Sequence, residues 1–205
     1  SPNSDTVGHR LEVLRRIAGK DDLPAPSVVV APIRSVLQPQ VRGLADLPVV
    51  KLRTAEDYDP SRLEADLVAA AYSRVDLVER RGEFAVRGGI VDIFAPTYSH
   101  PVRVDFFGDT IEDLRFFTVG DQRSTDETVD EFVAAPCREL LITPEVQQRA
   151  AALVDAHPEL SEMLEKISQG QSVEGMEALI PALADGVELL VDVMAPETLT
   201  LVCDP

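Results

Sequence analysis

The sequence contains few residues of the kinds that build metal sites, disulfides or membrane spans. It has two cysteines and three histidines in 205 residues, and Cys137 and Cys203 are too far apart for a zinc-binding motif. No apolar run approaches the length of a transmembrane helix. We therefore expect no metal, no cofactor and no membrane contact for this chain, and a location in the reducing cytoplasm.

Signals of secretion and of a complete start are also missing. The first residue is Ser1, and the segment that follows has neither the basic region nor the apolar core of a signal peptide. We expect a processed chain or a piece cut from a longer protein.

Motifs of hydrolytic and nucleotide-dependent enzymes are absent. The sequence has no Gly-x-x-x-x-Gly-Lys-Ser/Thr phosphate loop, no Gly-x-Ser-x-Gly and no His-Glu-x-x-His. Adjacent carboxylates such as Glu112 and Asp113 point to opposite faces of a strand, so they do not form an acid–base pair. The residues predict a chain that is not an enzyme by itself.

The net charge of −17 is unevenly distributed. Residues 1–73 carry 9 basic and 10 acidic side chains, and residues 74–125 carry 7 and 9. Residues 126–205 carry 3 basic and 17 acidic side chains. Like charge repels a phosphate backbone, so duplex DNA is a poor partner for the last segment.

The first segment, residues 1–48, has the pattern of an incomplete α/β unit. Apolar residues at helical spacing predict a helix capped by Ser4 or Asp5, and a short helix is expected at 33–37. Between them, the β-branched run 28–32 is typical of a strand buried on both faces of a parallel sheet. One strand cannot form a domain, so the segment is expected to be completed elsewhere.

The third segment, residues 135–205, is also typical of α/β structure. Its apolar periodicity predicts helices near 144–156, 158–168 and 174–184. The run 198–202 predicts a strand that shares a sheet with the first segment. Residues 49–134 are then an insertion that splits one α/β domain.

The middle segment, residues 49–134, predicts an antiparallel meander packed on a helix. A strand at 49–52 precedes a helix that begins near Pro60. Gly88-Gly89 and Gly108-Asp109 are two-residue hairpin signals, because glycine supplies the positive φ that such turns need. The hairpin strands are expected at 83–87, 90–94, 102–107 and 110–117.

Strand alternation places charged and aromatic side chains on one face of this meander. Successive side chains of a strand point to opposite faces, so one set faces the helix and the other faces away. The outward set is predicted to be Glu83, Ala85, Arg87, Arg103, Asp105 and Phe107. An exposed aromatic ring beside arginines is the composition of a protein–protein hot spot.

Two other interpretations of this face stay open from the pattern alone. In the first interpretation, Phe107 covers the edge of the core, and ordinary cross-strand ion pairs join Arg87, Arg103 and Asp105. In the second, the face binds nucleic acid, as aromatic and basic sheets do. The net acidic charge of residues 74–125, which contain no lysine, argues against the second.

Four ordered stretches, residues 72–76, 81–89, 92–94 and 103–109, carry a family resemblance. They resemble the homology module shared by UvrB and Mfd. The Mfd family consists of the bacterial transcription-repair coupling factors. The run Asp121-Gln122-Arg123-Ser124 is similar to Mfd rather than to UvrB. The resemblance covers nearly the whole chain. It implies that 1–48 and 135–205 are two parts of a degenerate RecA-like α/β domain 1, and that 49–134 is an inserted α+β domain 2.

The resemblance also implies partners and contact residues. Domain 2 is implied to dock UvrA, with Arg87, Arg103 and Phe107 at the contacting positions of Mfd-like proteins. Arg74 and Asp105 match positions implicated in UvrB. RNA polymerase and DNA are implied as partners only through the rest of a full-length ATP-dependent DNA translocase, whose later domains are implied to mask this face.

The resemblance further implies that the nucleotide site has decayed. UvrB continues from a strand like 198–202 into an Asp-Glu-Ser-His box, whereas here Asp204 is followed by Pro205. Loss of that glutamate removes the group that positions water for ATP hydrolysis. The alternative is a fragment of UvrB, the ATP-dependent damage-verification helicase subunit, against which Pro205 and Gln122-Arg123 argue.

Overall fold

The computed structural model describes residues 3–20 and 24–203 and has a mixed α/β architecture with one multi-strand sheet. The helices are α1 (Ser4–Ile17), α2 (Ile33–Leu37), α3 (Pro60–Ala69), α4 (Pro144–Leu153), α5 (Ser161–Ser168), α6 (Ile180–Leu183) and α7 (Leu190–Val193). The strands are β1 (Gln40–Val41), β2 (Val50–Arg53), β3 (Ser73–Arg74), β4 (Glu83–Arg87), β5 (Ile90–Phe94), β6 (Val102–Phe107), β7 (Thr110–Phe117), β8 (Ser124–Thr128), β9 (Glu131–Ala134) and β10 (Val187–Glu188). Short 3₁₀ helices occupy Leu44–Asp46, Pro158–Leu160 and Met176–Leu179.

The central feature is a six-stranded sheet in the order β3-β4-β5-β6-β7-β8. All neighbours are antiparallel except β3 and β4, which are parallel. The predicted hairpins are confirmed, because Gly88-Gly89 joins β4 to β5 and Gly108-Asp109 joins β6 to β7. Gly88 and Gly108 have φ of +61° and +62°, the left-handed conformation that glycine adopts without strain.

Helix α3 packs on one side of this sheet and closes the main core. Asp59 caps the helix by accepting a hydrogen bond from the backbone N–H of Ser61, and Pro60 occupies the first turn. The buried members of this core include Leu63 and Leu67 of the helix and, from the sheet, Phe84, Val91, Ile93, Val102, Val104, Ile111 and Leu114. The predicted meander on a helix is therefore confirmed.

Two further strand pairs lie outside the large sheet. Strands β2 and β9 pair antiparallel, with Leu52 opposite Phe132 in the main core. Strands β1 and β10 also pair antiparallel, and they join the first segment to the third. The first and third segments thus share a sheet, but it is formed by Gln40–Val41 and Val187–Glu188 and not by the predicted strands 28–32 and 198–202.

Residues 140–184 form a separate helical core. Helices α4, α5 and α6 enclose Leu140, Val146, Ala150, Leu164, Ile167, Met176 and Leu183. Thr143 caps α4 by accepting a hydrogen bond from the N–H of Val146. The helices predicted near 144–156 and 158–168 are confirmed, the second beginning with a 3₁₀ turn.

Helix α1 is attached to the sheet at its N-terminal end. Its N-cap is Asn3, not Ser4 or Asp5 as predicted, because Asn3 Oδ1 accepts the N–H of Asp5 and frees both other side chains for the sheet. Ser4 donates to the carbonyl of Arg81, and Asp5 pairs with the guanidinium of Arg81 at 3.2 Å. Gly8 lies so close to Pro96 that a Cβ would be 2.3 Å from the proline ring.

The prediction that the apolar runs 28–32 and 198–202 form strands of domain 1 is wrong. Val28 and Val30 are 78% and 92% exposed, and neither 28–32 nor 198–202 is a strand. A strand needs neighbours for its N–H and C=O groups, and neither run pairs with any of the three sheets in residues 3–20 and 24–203. The split RecA-like domain therefore stays a prediction.

Candidate protein-docking face

The side of the six-stranded sheet that faces away from α3 is called here the outer face. Register aligns Ala85 with Asp92, Asp92 with Arg103, and Arg103 with Arg115 across four strands. Its side chains on strands β4 to β7 include Glu83, Ala85, Arg87, Ile90, Asp92, Phe94, Arg103, Asp105, Phe107, Asp113, Arg115 and Phe117. Arg87, Arg103, Asp105 and Phe107 thus share a face, as strand alternation predicts.

One half of the outer face is covered by loops. Ala85 and Phe94 are buried in a small apolar cluster with Val78, from the loop between β3 and β4, and with Phe117. Ala85 points outward as predicted, but it is buried because two loops fold over that end of the sheet. Gln122 joins these loops, since its Nε2 donates to the carbonyls of Val78 and Val119 at 3.0 and 2.9 Å.

Asp92 lies at the boundary between the covered and the open half. Its side chain is 1% exposed, yet it carries a carboxylate in an otherwise apolar strand. Arg87 Nη2 donates to Oδ2 at 2.7 Å. Arg103 donates from Nε to Oδ1 at 2.8 Å and from Nη2 to Oδ2 at 3.0 Å. The two predicted contact arginines are therefore linked through one buried carboxylate that the sequence interpretation missed.

Arg103 is enclosed on several sides. Its guanidinium lies over the ring of Phe117, 4.6 Å from the centroid, and only 14% of the side chain is exposed. Nη1 donates to the carbonyl of Gln122 and to Ser124 Oγ, both at 3.3 Å. The hydrogen bond to Asp92 raises the pKa of Arg103, so the guanidinium is charged at every accessible pH.

Arg87 and Phe107 form the open part of the outer face. Arg87 ends β4, and 48% of its side chain is exposed. Phe107 ends β6 and is 74% exposed, so it does not cover the edge of the core. An exposed ring on the same sheet face as a half-exposed arginine has the chemistry of a protein contact.

Asp105 adds negative charge next to this pair. It is partly buried and lies opposite Asp113 on β7, where the register shifts by one residue. Arg115 Nη2 pairs with Asp113 at 2.9 Å and so neutralises one of the two facing carboxylates. Among the described residues Asp105 forms no ion pair or side-chain hydrogen bond, although its charge acts on Arg103, so its oxygens can accept from a cationic group.

Arg74 is separated from the other four predicted contact residues. It lies in the edge strand β3 opposite Phe84, whose side chain is in the core on the α3 side. Its Nη1 pairs with Glu64 of α3 at 2.6 Å. A partner on the outer face must reach around the β3 edge to contact Arg74.

Comparison with known proteins gives consistent matches. Residues 50–140 match the family described as UvrB interaction domain. Over 218 aligned residues that include the whole chain, it is 48% identical to the transcription-repair-coupling factor of Mycobacterium tuberculosis (strain CDC 1551 / Oshkosh). Identity to the factors of Myxococcus xanthus and Bacillus subtilis is 35% and 33%, over 94% and 80% of the chain.

The chain belongs to the transcription-repair-coupling factor family. It spans 18% of the length of the mycobacterial factor and 16% and 15% of the other two. The segment that matches the UvrB interaction domain contains all five predicted contact residues and Asp92. The outer face therefore lies within the segment that matches the UvrB interaction domain.

Outside the outer face, the chain has a cleft and a buried cysteine. A cleft of about 620 Å³ lies between α1, Cys137 and the Met176–Leu179 turn. Burial raises the pKa of the Cys137 thiol to about 12, so it is no nucleophile at neutral pH. Within the described residues, no cluster of three or more His, Cys, Asp or Glu side chains is placed to hold a metal ion. Nor is any described helix long and apolar enough to cross a membrane.

Proposed function

We propose that this chain is the UvrA-docking part of a transcription-repair coupling factor. In this proposal the outer face of the sheet binds UvrA and brings it to stalled RNA polymerase for nucleotide excision repair. Family membership and the match to the UvrB interaction domain over residues 50–140 support the proposal. Contact with RNA polymerase and DNA belongs to the rest of the full-length protein, as does ATP-driven translocation on DNA.

The exposed ring of Phe107, on the same face of the sheet as Arg87, is the observation that carries the proposal. Phe107 is 74% exposed at the end of a strand whose inward neighbours Val102 and Val104 are fully buried. Aromatic rings and arginines are enriched among the residues that dominate the binding energy of protein contacts. Phe107 and Arg87 provide one of each on this face, and Arg103, Asp105 and Arg74 complete the predicted contact set.

We propose that the chain has no catalysis of its own. The first and third segments are proposed to belong to a RecA-like domain 1 that has lost its nucleotide site, with the sheet domain as its insertion. Asp204 and Pro205, on which the sequence argument for that loss depends, lie outside the described residues. Later domains of the full-length factor are proposed to mask the outer face until polymerase is engaged.

The test is a titration of purified UvrA against the 205-residue chain and its alanine variants at Arg87, Arg103 and Phe107. We expect Phe107→Ala to weaken binding by about 2 kcal/mol, because it removes the apolar centre of the contact. Phe107 is exposed, so the same change leaves the free energy of unfolding within about 0.5 kcal/mol of wild type. Calorimetry gives the first quantity and urea unfolding the second.

Matched controls complete this experiment. Arg62→Ala removes an arginine that is 76% exposed on α3, on the opposite side of the sheet, and should not change UvrA binding. Arg74→Ala tests whether the contact extends around the β3 edge. Absence of UvrA binding by wild type, or equal binding by Phe107→Ala, contradicts the proposal, and tighter binding of duplex or single-stranded DNA would favour the nucleic-acid alternative.

A further inference from the structure

The two arginines of the outer face differ in how many of their N–H groups are already used. A guanidinium has five N–H donors. Arg103 makes four hydrogen bonds, to both oxygens of Asp92, to the Gln122 carbonyl and to Ser124 Oγ. Among the described residues, Arg87 makes one, to Asp92 Oδ2. Arg87 therefore keeps four N–H donors for a partner, and Arg103 keeps one.

We infer that Arg87 is the arginine that contacts the partner, and that Asp92 and Arg103 are positioning residues that hold it in place. This inference rests on the proposed docking function of the outer face. It differs from the role implied by the family resemblance, in which Arg103 is itself a contact residue.

Charge supports this division of roles. Arg103 binds Asp92 with two parallel hydrogen bonds, the geometry in which a guanidinium matches a carboxylate fully. That pair is nearly buried, with 14% and 1% of the two side chains exposed. Its charges compensate each other, so the net positive charge of the three residues resides on the half-exposed Arg87.

Conformational entropy gives the positioning residues their effect. An arginine side chain has many rotamers, and fixing it at the moment of binding opposes association. The 2.7 Å hydrogen bond from Arg87 to a carboxylate that cannot itself move fixes the guanidinium beforehand. Phe117 beneath Arg103 and the Gln122 carbonyl beside it keep the carboxylate from moving.

The chemistry of the partner group follows from the free donors. The remaining N–H groups of Arg87 lie in one plane, and a planar pair of donors binds a carboxylate through two hydrogen bonds. We therefore infer that the partner places an aspartate or glutamate side chain against Arg87.

The binding test is a double-mutant cycle between Arg87→Ala and Asp92→Asn, measured as the Kd for purified UvrA well below the unfolding temperature. We expect Arg87→Ala to weaken binding about tenfold or more, and Asp92→Asn about threefold to tenfold. In the double variant, Asp92→Asn should add nothing, because the residue that it positions is gone. Equal effects of Asp92→Asn with and without Arg87, or no effect of Arg87→Ala, would overturn the inference.

A control separates positioning from loss of stability. Glu177→Gln breaks another partly buried arginine–carboxylate pair, with Arg138 at 3.1 Å, outside the outer face. It should lower the unfolding temperature without changing Kd. If Asp92→Asn does not fold, Arg103→Lys replaces it in the cycle, since lysine keeps the charge but cannot bind Asp92 through two parallel bonds.

A measurement without UvrA tests the positioning itself. NMR relaxation of the ¹⁵N-labelled arginine side chains should show Arg87 ordered in wild type and in Glu177→Gln, and disordered in Asp92→Asn. Exchange of the Arg103 Nε–H with water should accelerate about tenfold or more in Asp92→Asn. An Arg87 side chain equally ordered in both variants would contradict positioning, whereas lack of UvrA binding by wild type would contradict the proposed function alone.

Discussion

The buried carboxylate of Asp92 and the partly buried carboxylate of Glu139 have opposite surroundings. Asp92 accepts three hydrogen bonds from two guanidinium groups. Glu139 lines the cleft beside α1 and has Arg10 as its ion-pair partner at 3.2 Å. Burial raises the pKa of Glu139 more than Arg10 lowers it, and the nearby Glu177 raises it further. The charged form of Glu139 is therefore less favourable in the folded chain than in water, and it lowers the free energy of unfolding.

This cost predicts a pH dependence for the variant Glu139→Gln. Between the ordinary pKa of 4.5 and the raised value, the folded chain binds more protons at Glu139 than the unfolded chain does. The stability that Glu139 contributes thus falls as pH rises through this window. We expect urea unfolding to show that the free energy of unfolding of Glu139→Gln rises relative to that of wild type as pH increases from 4 to 7.

The control for that prediction has the opposite sign. Lys166 lowers the pKa of Glu162, so the stability from Glu162 is present above its ordinary pKa and is lost as pH falls. Glu162→Gln should be less stable than wild type at pH 7, and this difference should shrink as pH falls below the ordinary pKa of 4.5. A constant difference between Glu139→Gln and wild type over this range would show that burial does not govern Glu139.

Among the elements, the β6–β7 hairpin controls where Phe107 lies. The turn Gly108-Asp109 follows Phe107 directly, and Gly108 has φ of +62° with open space around its Cα. A side chain at that position is strained by backbone conformation alone, with no steric contact to complicate the result.

We therefore predict that Gly108→Ala lowers the free energy of unfolding by about 1 kcal/mol. Gly120→Ala is the matched control, because Gly120 also has open space around it but no positive φ. It should change stability by less than about 0.5 kcal/mol. Urea unfolding measures both, and equal effects of the two substitutions would contradict the role assigned to the backbone of the turn.

The elements also separate what the sequence could predict from what it could not. The four hairpin strands were predictable because glycine pairs and alternating apolar residues mark them locally. Strand β8 was not, since Ser124–Thr128 is polar and pairs only along one edge. Burial of Ala85 depends on loops that pack from elsewhere in the chain, and the Asp92 carboxylate is bound by two arginine side chains. Alternation identifies a face without showing what covers it.

At the scale of the whole molecule, apolar surface is concentrated in the first and third segments. Val28, Val30, Leu199 and Leu201 are between 77% and 92% exposed. Their sequences have the β-branched character of buried strands, but they pair with none of the three sheets in the described part of the chain. Propensity for a strand is not sufficient when the neighbouring strands are absent.

Hydrogen exchange should separate these segments from the sheet. We predict that amides in 28–32 and 198–203 exchange far faster than those of β5, whose N–H groups are paired on both sides. Exchange followed by mass spectrometry measures this difference on the intact chain. Protection of 28–32 equal to that of β5 would mean that this run forms a strand after all.

The contact between α1 and the sheet has a consequence for how force and rotation pass through the chain. Ser4 and Asp5 bind Arg81, and Gly8 leaves no room between the helix and Pro96. We therefore expect helix α1 and the outer face to move together as one rigid unit. A protein bound at Phe107 is carried through whatever angle α1 is turned.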